Sequence, residues 1–139
     1  MLSFNPPIKE EKNYNDLKIV EIEPTIKINL RSNKREFSTK IGKILSILPP
    51  NEANTSSGNE NYNLLWLSPD EWMVYGKDIE KNLMLSLDSE ISKLNLGSVT
   101  DVSDQWVLIN MRGKNVFEIL SKGSPFDFNQ FKNTKNVVV

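Results

Sequence analysis

The side chains of this sequence that could take part in chemistry are mainly carboxylates. The densest cluster is Asp101-Val102-Ser103-Asp104, and a second pair is Asp70-Glu71. A carboxylate can act as a general base, but the reaction then needs a second acid, base or electrophile beside it. The sequence places no such group beside either cluster. We therefore expect structural roles, a turn at Asp104 and a buried, hydrogen-bonded carboxylate at Asp101.

The chain contains no histidine and no cysteine. Histidine is the commonest general base and transition-metal ligand, and cysteine supplies nucleophiles, disulfides and zinc ligands. Ser-His-Asp and Cys-His catalysis are therefore excluded. The groups that could still act in catalysis are carboxylates, lysine, tyrosine and oxygen-ligated metals. No phosphate loop, GxSxG, HExxH or EF-hand pattern occurs, and the glycines are isolated from one another.

Charge and hydropathy argue against further classes of protein, namely those that bind nucleic acid or membranes and those that are secreted. The 139 residues carry 17 basic and 18 acidic side chains, a net charge of −1. Binding to nucleic acid or to an anionic membrane depends on an excess of positive charge, so we expect neither. The N-terminus lacks the apolar core of a signal peptide, and no segment approaches the ~20 apolar residues of a membrane span. We expect a cytoplasmic protein.

Hydrophobic periodicity predicts the elements that hold these residues. Alternation predicts strands at residues 17–23, 25–30, 64–67, 72–75, 99–103 and 106–112. The first predicted helix ends before Pro49-Pro50, and its inward stripe is Phe37, Ile41, Ile44, Leu45 and Leu48. The second runs from an N-cap at Asp78 to about Asn95, with a stripe of Ile79, Leu83, Leu87, Ile91 and Leu94. The third, 114–121, ends near Gly123, which is expected at the left-handed C′ position.

The order ββα, ββα, ββα and a last strand at 136–139 predicts an α+β fold, a largely antiparallel sheet with helices packed on it. Residues 51–61 are polar and are predicted to form a flexible surface loop. Residues 1–16 are polar and contain two prolines, so we expect a loosely ordered arm. Residues 17–139 are expected to form a single α+β domain.

The hairpin around Ser68-Pro69-Asp70-Glu71 is predicted to be apolar on both faces. Serine and proline at the first two positions favour a type I turn. With Ser68 paired to Glu71, the next pairs are Leu67–Trp72, Trp66–Met73, Leu65–Val74 and Leu64–Tyr75. Paired residues share a face, which puts Trp66 and Trp72 on opposite faces. The helices can cover one face, and something else must cover the other. One indole is then expected in the core and the other at an interface. Trp106 is expected in the core.

Three blocks of the sequence resemble the gamma subunits of heterotetrameric sarcosine oxidase. The most specific is Leu65-Trp66-Leu67-Ser68-Pro69-Asp70-Glu71-Trp72, which is similar to the L-W-L-x-P-D-E-W block of that family. The segment from Asp101 through Gly113 to Leu120 is similar to its D-V-S-D…G…V-L stretch. Lys122-Gly123-Ser124-Pro125-Phe126-Asp127-Phe128 is similar to its K-G-C-P-x-D-L. The resemblance covers residues 28–131, and the middle block is shared with the wider aminomethyltransferase superfamily.

This resemblance implies an aminomethyltransferase-like, folate-binding-domain-like scaffold and an accessory role. The complex oxidatively demethylates sarcosine to glycine, passes the one-carbon unit to tetrahydrofolate or releases it as formaldehyde, and produces hydrogen peroxide. The beta subunit holds covalent FMN and FAD, the alpha subunit NAD and the folate region, and the delta subunit zinc. The gamma subunit has no catalytic, cofactor or metal-binding residues of its own. Motif or interface roles are implied for Trp66, Pro69, Asp70, Glu71, Trp72, Asp101, Ser103, Asp104, Gly113, Lys122, Gly123, Pro125 and Asp127.

The sequence departs from that family in two places. Ser124 stands where the family has cysteine in K-G-C-P, so we expect a packing role there instead of a thiol. Related subunits continue through a further strand, helix and strand beyond the position of Val139. A truncated chain and a short member both remain open, and either would leave an apolar edge that needs a partner.

Two other functions remain open. One is a stand-alone folate-binding or aminomethyltransferase-like protein, although the folate pocket of that family forms between several subdomains and this chain supplies one. The other is a free-standing homodimer that pairs its apolar hairpin faces. The resemblance does not define the substrate of the complex, because related complexes handle other N-methyl amines.

Overall fold

The computed structural model describes residues 5–8, 10–23, 25–76 and 81–132. These residues form an α+β fold with antiparallel sheets, as the sequence predicts. The strands are β1 (Lys12–Tyr14), β2 (Leu17–Glu21), β3 (Lys27–Arg31), β4 (Ser56–Gly58), β5 (Asn63–Ser68), β6 (Glu71–Tyr75), β7 (Ser98–Asp101) and β8 (Ile109–Arg112). The helices are α1 (Arg35–Leu45), α2 (Lys81–Leu87), extended by a π-helical turn (Asp88–Ser92), and α3 (Val116–Gly123). Two 3-10 turns are Ser103–Gln105 and Phe128–Lys132.

The chain folds into two compact units. The described residues of the terminal unit lie within Met1–Pro24 and Val107–Lys135, and those of the central unit lie within Thr25–Trp106. The single domain over residues 17–139 stays a prediction. The predicted N-cap Asp78, Ile79 and the predicted strand at 136–139 lie outside the described residues. No helix in the described ranges is long and apolar enough to cross a membrane.

The central unit is a five-stranded antiparallel sheet, in the order β4-β5-β6-β3-β7, whose one face packs against α1 and α2. Alternate residues of the sheet supply this face, and the helices supply residues at helical spacing. The core cluster is Ile28, Leu30, Leu64, Trp72 and Val74 from the sheet, with Phe37, Ile41, Leu45, Ile47, Leu83, Leu87 and Ile91. Burying a large apolar side chain stabilises a fold by roughly 1.5–3 kcal/mol. This cluster is therefore the main source of stability in the central unit.

Helix α1 ends earlier than its apolar stripe predicts. Its C-cap, Ser46, is left-handed with φ of 55°, so the helix stops at Leu45. Leu48 then lies beyond the helix and is 74% exposed, which corrects its predicted inward position. Leu94, predicted on the stripe of the second helix, is also exposed.

The predicted loop at residues 51–61 contains a strand. Residues Ser56–Gly58 form β4 and pair with β5 in antiparallel register. The Ser57 hydroxyl donates to the carbonyl oxygen of Leu48 at 2.7 Å, which holds the strand near the end of α1. Sequence analysis missed β4 because its three residues, serine, serine and glycine, have no apolar pattern.

The hairpin of β5 and β6 has a different register from the predicted one. Ser68 pairs with Glu71 as expected, but Trp66 pairs directly with Trp72 because Leu67 forms a bulge. Trp66 and Trp72 therefore share the core face, and their predicted separation onto opposite faces is wrong. The second face carries Leu65, Met73 and Tyr75 instead. Met73 is only 6% exposed and Leu65 and Tyr75 are half-buried, so this face is not widely exposed.

The terminal unit contains the three-stranded antiparallel sheet β1-β2-β8, helix α3 and the last 3-10 turn. Part of the predicted loose arm is thus ordered, since Lys12–Tyr14 pairs with β2. The left-handed glycine of this unit is Gly113, at φ of 129°, and not Gly123. A β-carbon at Gly113 would lie 2.1 Å from the carbonyl oxygen of Asp16, whereas one at Gly123 would contact nothing within 4 Å.

Two further predictions about single residues are wrong. Trp106 is 55% exposed, so it is not a core residue. Asp101 is also exposed, although its predicted hydrogen bonding is present. The predicted strand at 106–112 is shorter than expected, because pairing with β2 begins only near Ile109. Its apolar start at Trp106 and Val107 lies in exposed irregular structure.

Candidate functional site

The residues of the L-W-L-x-P-D-E-W-like block meet at the tip of the β5–β6 hairpin in the central unit. The Ser68 hydroxyl donates to Asp70 Oδ1 at 2.7 Å, which stabilises the turn. Arg31 approaches Asp70 at 3.8 Å and Glu71 at 3.9 Å, and these side chains are partly exposed. Ion pairs of this kind contribute about 1 kcal/mol or less. The carboxylates at the tip are therefore engaged locally and have modest energetic weight.

Glu71 has one stronger contact. Asn29 Nδ2 donates to Glu71 Oε1 at 2.7 Å across the β3–β6 pair. Because neighbouring residues of a strand face opposite sides, Glu71 lies on the other side of the sheet from Trp72. The hydrogen bond from Asn29 therefore holds the Glu71 carboxylate on that side of the sheet.

The two indoles of the hairpin share a face but have different surroundings. Trp72 is 7% exposed, stacks on Phe37 with ring centroids 5.3 Å apart, and donates its Nε1–H to the carbonyl oxygen of Pro50 at 2.8 Å. Trp66 is half-buried against the core, and the described residues offer no hydrogen-bond partner to its indole N–H. Trp72 is thus a fixed part of the core, whereas Trp66 has a polar edge available to a binding partner.

A groove of about 370 Å³ lies between the beginning of α1 and the hairpin. Trp66, Trp72 and Pro69 form its apolar wall. Its polar lining consists of Lys34 and Arg35 with the neutral side chains Ser32, Asn33, Ser38 and Asn51. No carboxylate lines this groove. The lining can therefore bind an anionic group next to an aromatic surface.

Asp101, Ser103 and Asp104 lie together at the end of β7 and in the following 3-10 turn. The Ser103 N–H and hydroxyl both donate to Asp101 Oδ1, at 2.9 and 2.5 Å. The Ser103 oxygen also accepts from the backbone N–H of Lys27 at 3.0 Å. This cluster fastens β7 to the beginning of β3, which is a structural role.

Lys27 is the buried charged residue next to this cluster. Its side chain is 2% exposed, and its Nζ donates to the carbonyl oxygen of Thr25 at 2.9 Å. Burial lowers the pKa of Lys27, and the charges of Asp104 and Asp101 oppose that shift. Sequence analysis missed Lys27, because lysine in an alternating strand normally predicts a solvent-facing position.

The remaining motif residues lie in the terminal unit. Lys122 pairs with Glu118 one helical turn away at 3.3 Å, and both are well exposed. Gly123 is the last residue of α3, Pro125 follows it, and Asp127 accepts from the backbone and side chain of Asn129 at 3.0 and 2.8 Å. Gly113 forms the close approach to Asp16. The structure therefore distributes the predicted residues over three places. Trp66, Pro69 and Trp72 of the hairpin block line one cavity, and Asp127 lines a second one, of about 340 Å³, in the terminal unit.

Within the described ranges, no three histidine, cysteine, aspartate or glutamate side chains come together to hold a metal ion. Lys34 and Arg35 are the groove residues that sequence analysis missed. The signal that could have found them is their position at the beginning of an amphipathic helix, after the strand that pairs with the tryptophan hairpin.

Comparison with solved structures finds a similar fold in heterotetrameric sarcosine oxidase from Corynebacterium sp. U-96 in complex with pyrrole 2-carboxylate. One chain of that structure matches with a TM-score of 0.72 and 20% sequence identity. The match covers 80% of this chain and 57% of the other, so this chain spans little more than half of that neighbour. At this identity the likeness is one of fold. No protein-family model and no curated protein matches the sequence.

Proposed function

We propose that this chain is a gamma-type accessory subunit of a heterotetrameric complex related to sarcosine oxidase. The observation that carries the proposal is the fold match to a chain of such a complex, with a TM-score of 0.72. The sequence independently resembles the gamma subunits through its L-W-L-x-P-D-E-W-like block. In this structure that block forms a groove wall, a position suited to binding.

The proposed role is assembly or stabilisation of the complex. Alpha, beta and delta subunits are the proposed partners, and they hold FMN, FAD, NAD, tetrahydrofolate and zinc. The aminomethyltransferase-like scaffold and the repeated ββα arrangement belong to the same proposal. In the hairpin, Ser68 donates to Asp70. In the Asp101 cluster, Ser103 donates to Asp101 and accepts from the backbone N–H of Lys27, and these local bonds support a structural use of the residues.

Co-expression of a tagged chain with its alpha, beta and delta homologues tests this proposal. We expect the four chains to co-purify as one species in size-exclusion chromatography with light scattering. We expect peroxide production from sarcosine by the complex, and neither flavin absorbance nor peroxide from the tagged chain alone. Complexes from which each partner is omitted in turn are the controls. A tagged chain that purifies alone, or that is itself yellow, would overturn the proposal.

Calorimetry on the isolated chain separates the proposal from the folate-binding alternative. We expect no heat of binding when tetrahydrofolate is titrated into the chain. Saturable one-to-one binding would favour a stand-alone folate-binding protein instead.

A further inference from the structure

We infer that the groove between α1 and the β5–β6 hairpin docks an acidic segment of a partner subunit that also carries an apolar side chain. This inference rests on the proposed function, because it names the surface through which the chain binds a larger enzyme. Three observations support it. The groove is positively charged, the indole N–H of Trp66 has no hydrogen-bond partner among the described residues, and Asp70 and Glu71 contact groups outside the groove.

The two cations of the groove are not neutralised within the chain. The Lys34 ammonium donates to the carbonyl oxygen of Asn95, a neutral group, so its charge persists. Arg35 is exposed and has no ion-pair partner among the described residues. Lys34 and Arg35 are adjacent in the chain. Two adjacent cations without an ion-pair partner among the described residues favour a binding partner that brings carboxylates.

The nearby carboxylates do not compete for these cations. Asp70 accepts from Ser68 and pairs with Arg31, and Glu71 accepts from Asn29 on the other side of the sheet. Neither lines the groove. Glu36 follows Arg35 in the first turn of α1, but it does not line the groove either. An incoming acidic group would therefore meet positive charge in a lining that contains no carboxylate.

Trp66 supplies the apolar contact. Tryptophan and arginine are the residue types most enriched among energetically dominant interface positions, and here Trp66 and Arg35 line one groove. Trp66 is half-buried, and its ring is held by packing against the core. Its N–H has no partner among the described residues and can donate to a backbone carbonyl of the docked segment. The indole N–H of Trp72, by contrast, already donates to the carbonyl oxygen of Pro50, and its ring stacks on Phe37.

The first arm of the test uses the isolated chain and two synthetic hexapeptides. One contains five glutamates and one phenylalanine, and the other has lysine in place of each glutamate. Chemical shifts in a ¹⁵N NMR titration are the readout. We expect the acidic peptide to shift the amides of Lys34 and Arg35 and the indole N–H of Trp66, but not the indole N–H of Trp72. We expect the shifts to disappear near 1 M salt, where the Debye length is about 3 Å. Equal shifts with both peptides, or none at this groove, would overturn the inference.

The second arm uses the assembled complex. We expect Lys34→Glu combined with Arg35→Glu to weaken binding of the chain to its partners on the order of 100-fold, because like charges then face each other. Lys43→Glu, on the same helix but outside the groove, is the control and should leave the affinity within about threefold. Each variant is first checked for unchanged thermal unfolding.

A matched pair of tryptophan variants tests the apolar contact. We expect Trp66→Ala to weaken assembly about 30-fold, the size of a hot-spot loss. Trp106→Ala, which removes a more exposed indole outside the groove, should have little effect. If the complex forms with both the charge-reversed and Trp66→Ala variants at unchanged affinity, the partner docks elsewhere and the proposed function survives. If no complex forms even with the wild-type chain, the proposed function fails, and the peptide titration still decides the charge preference of the groove.

Discussion

The central and terminal units contain the same kinds of apolar residue but bury them to different extents. In the central unit, sheet and helices bury a continuous cluster that includes Phe37, Leu64 and Leu87, each 1% exposed or less. In the terminal unit the buried apolar side chains of the described residues are Leu17 and Phe128. All the other buried apolar side chains in the described ranges belong to the central unit.

In the terminal unit, the helix and the strands form but leave most of their apolar side chains partly or fully exposed. Helix α3 has an apolar stripe, yet none of its residues is buried. Tyr14, Val107 and Ile109 are 63%, 46% and 50% exposed. Four phenylalanines, Phe117, Phe126, Phe128 and Phe131, contact one another in a small cluster at the end of the chain. Amphipathic patterning thus produced helix and strands in both units, but among the described residues the continuous buried apolar cluster lies in the central unit.

The largest expected effect comes from separating the units. A fragment of residues 25–106 keeps the whole core cluster, and domains of comparable size fold alone. We expect it to unfold cooperatively in urea, as monitored by tryptophan fluorescence. Segments 5–23 and 107–132, joined by a flexible linker, should show no cooperative transition. A folded terminal fragment, or an unfolded central fragment, would contradict the comparison.

A pair of phenylalanine truncations measures the same contrast within the intact chain. Phe37→Ala removes a side chain that is 1% exposed, so we expect a loss of about 3–5 kcal/mol in the free energy of unfolding. Phe117→Ala removes a half-buried ring from the cluster of the terminal unit and should cost about 1 kcal/mol. Urea midpoints at equal m-value provide the measurement. Equal losses from the two variants would show that the terminal unit has a core of similar quality.

The two glycines of the terminal unit allow a more local test. Gly113→Ala forces a β-carbon onto the Asp16 carbonyl at a φ that L-residues rarely adopt, so we expect a loss of about 2 kcal/mol. Gly123→Ala places a methyl group in open space within a helix and should be neutral or stabilising by up to about 1 kcal/mol. Amide hydrogen exchange should locate the Gly113→Ala effect in β2 and β8. A larger loss from Gly123→Ala would contradict the backbone geometry.

The sequence predicts the central unit well wherever periodicity and burial agree. The stripe of Phe37, Ile41 and Leu45 predicts α1, and Leu83, Leu87 and Ile91 predict the inward face of the second helix. The hairpin turn is also predicted, but its register is not, because a bulge at Leu67 has no signal in residue types alone. That one residue moves Trp66 and Trp72 onto the same face and thereby creates the apolar wall of the groove.

The candidate site is harder to predict than the fold, because it depends on which partners each side chain finds. Trp66 and Trp72 are equivalent in the sequence pattern, and only the hydrogen bond to Pro50 and the stacking on Phe37 distinguish them. Trp106 lies in a predicted strand, but its exposure shows that an apolar run need not be buried. Lys34 and Arg35 follow Ser32, whose hydroxyl donates to the carbonyl oxygen of Leu96 and accepts from the backbone N–H of Lys34, and residue types alone do not predict these bonds.

The smallest expected effect concerns Lys27, the buried charge of the central unit. Burial lowers its pKa from the ordinary value of 10.5, and Asp104 and Asp101 oppose this only in part. Between the folded pKa and 10.5 the unfolded chain binds more protons than the folded chain, so the free energy of unfolding rises with pH in that interval. Below the folded pKa both states are protonated, and the full cost of the buried charge is present.

Replacing this amine by an apolar side chain of similar length should remove that cost. We expect Lys27→Met to be more stable than the wild type by about 1 kcal/mol at pH 7, as measured by urea unfolding. The difference should shrink as the pH rises through the folded pKa and past 10.5, because above 10.5 the wild-type amine is mostly neutral in both states. Lys43→Met, at an exposed position of α1, is the control for the general effect of removing a lysine. A Lys27→Met protein that is less stable than the wild type at every pH would mean that the bond to Thr25 outweighs burial. The central unit would then use this lysine as a structural contact.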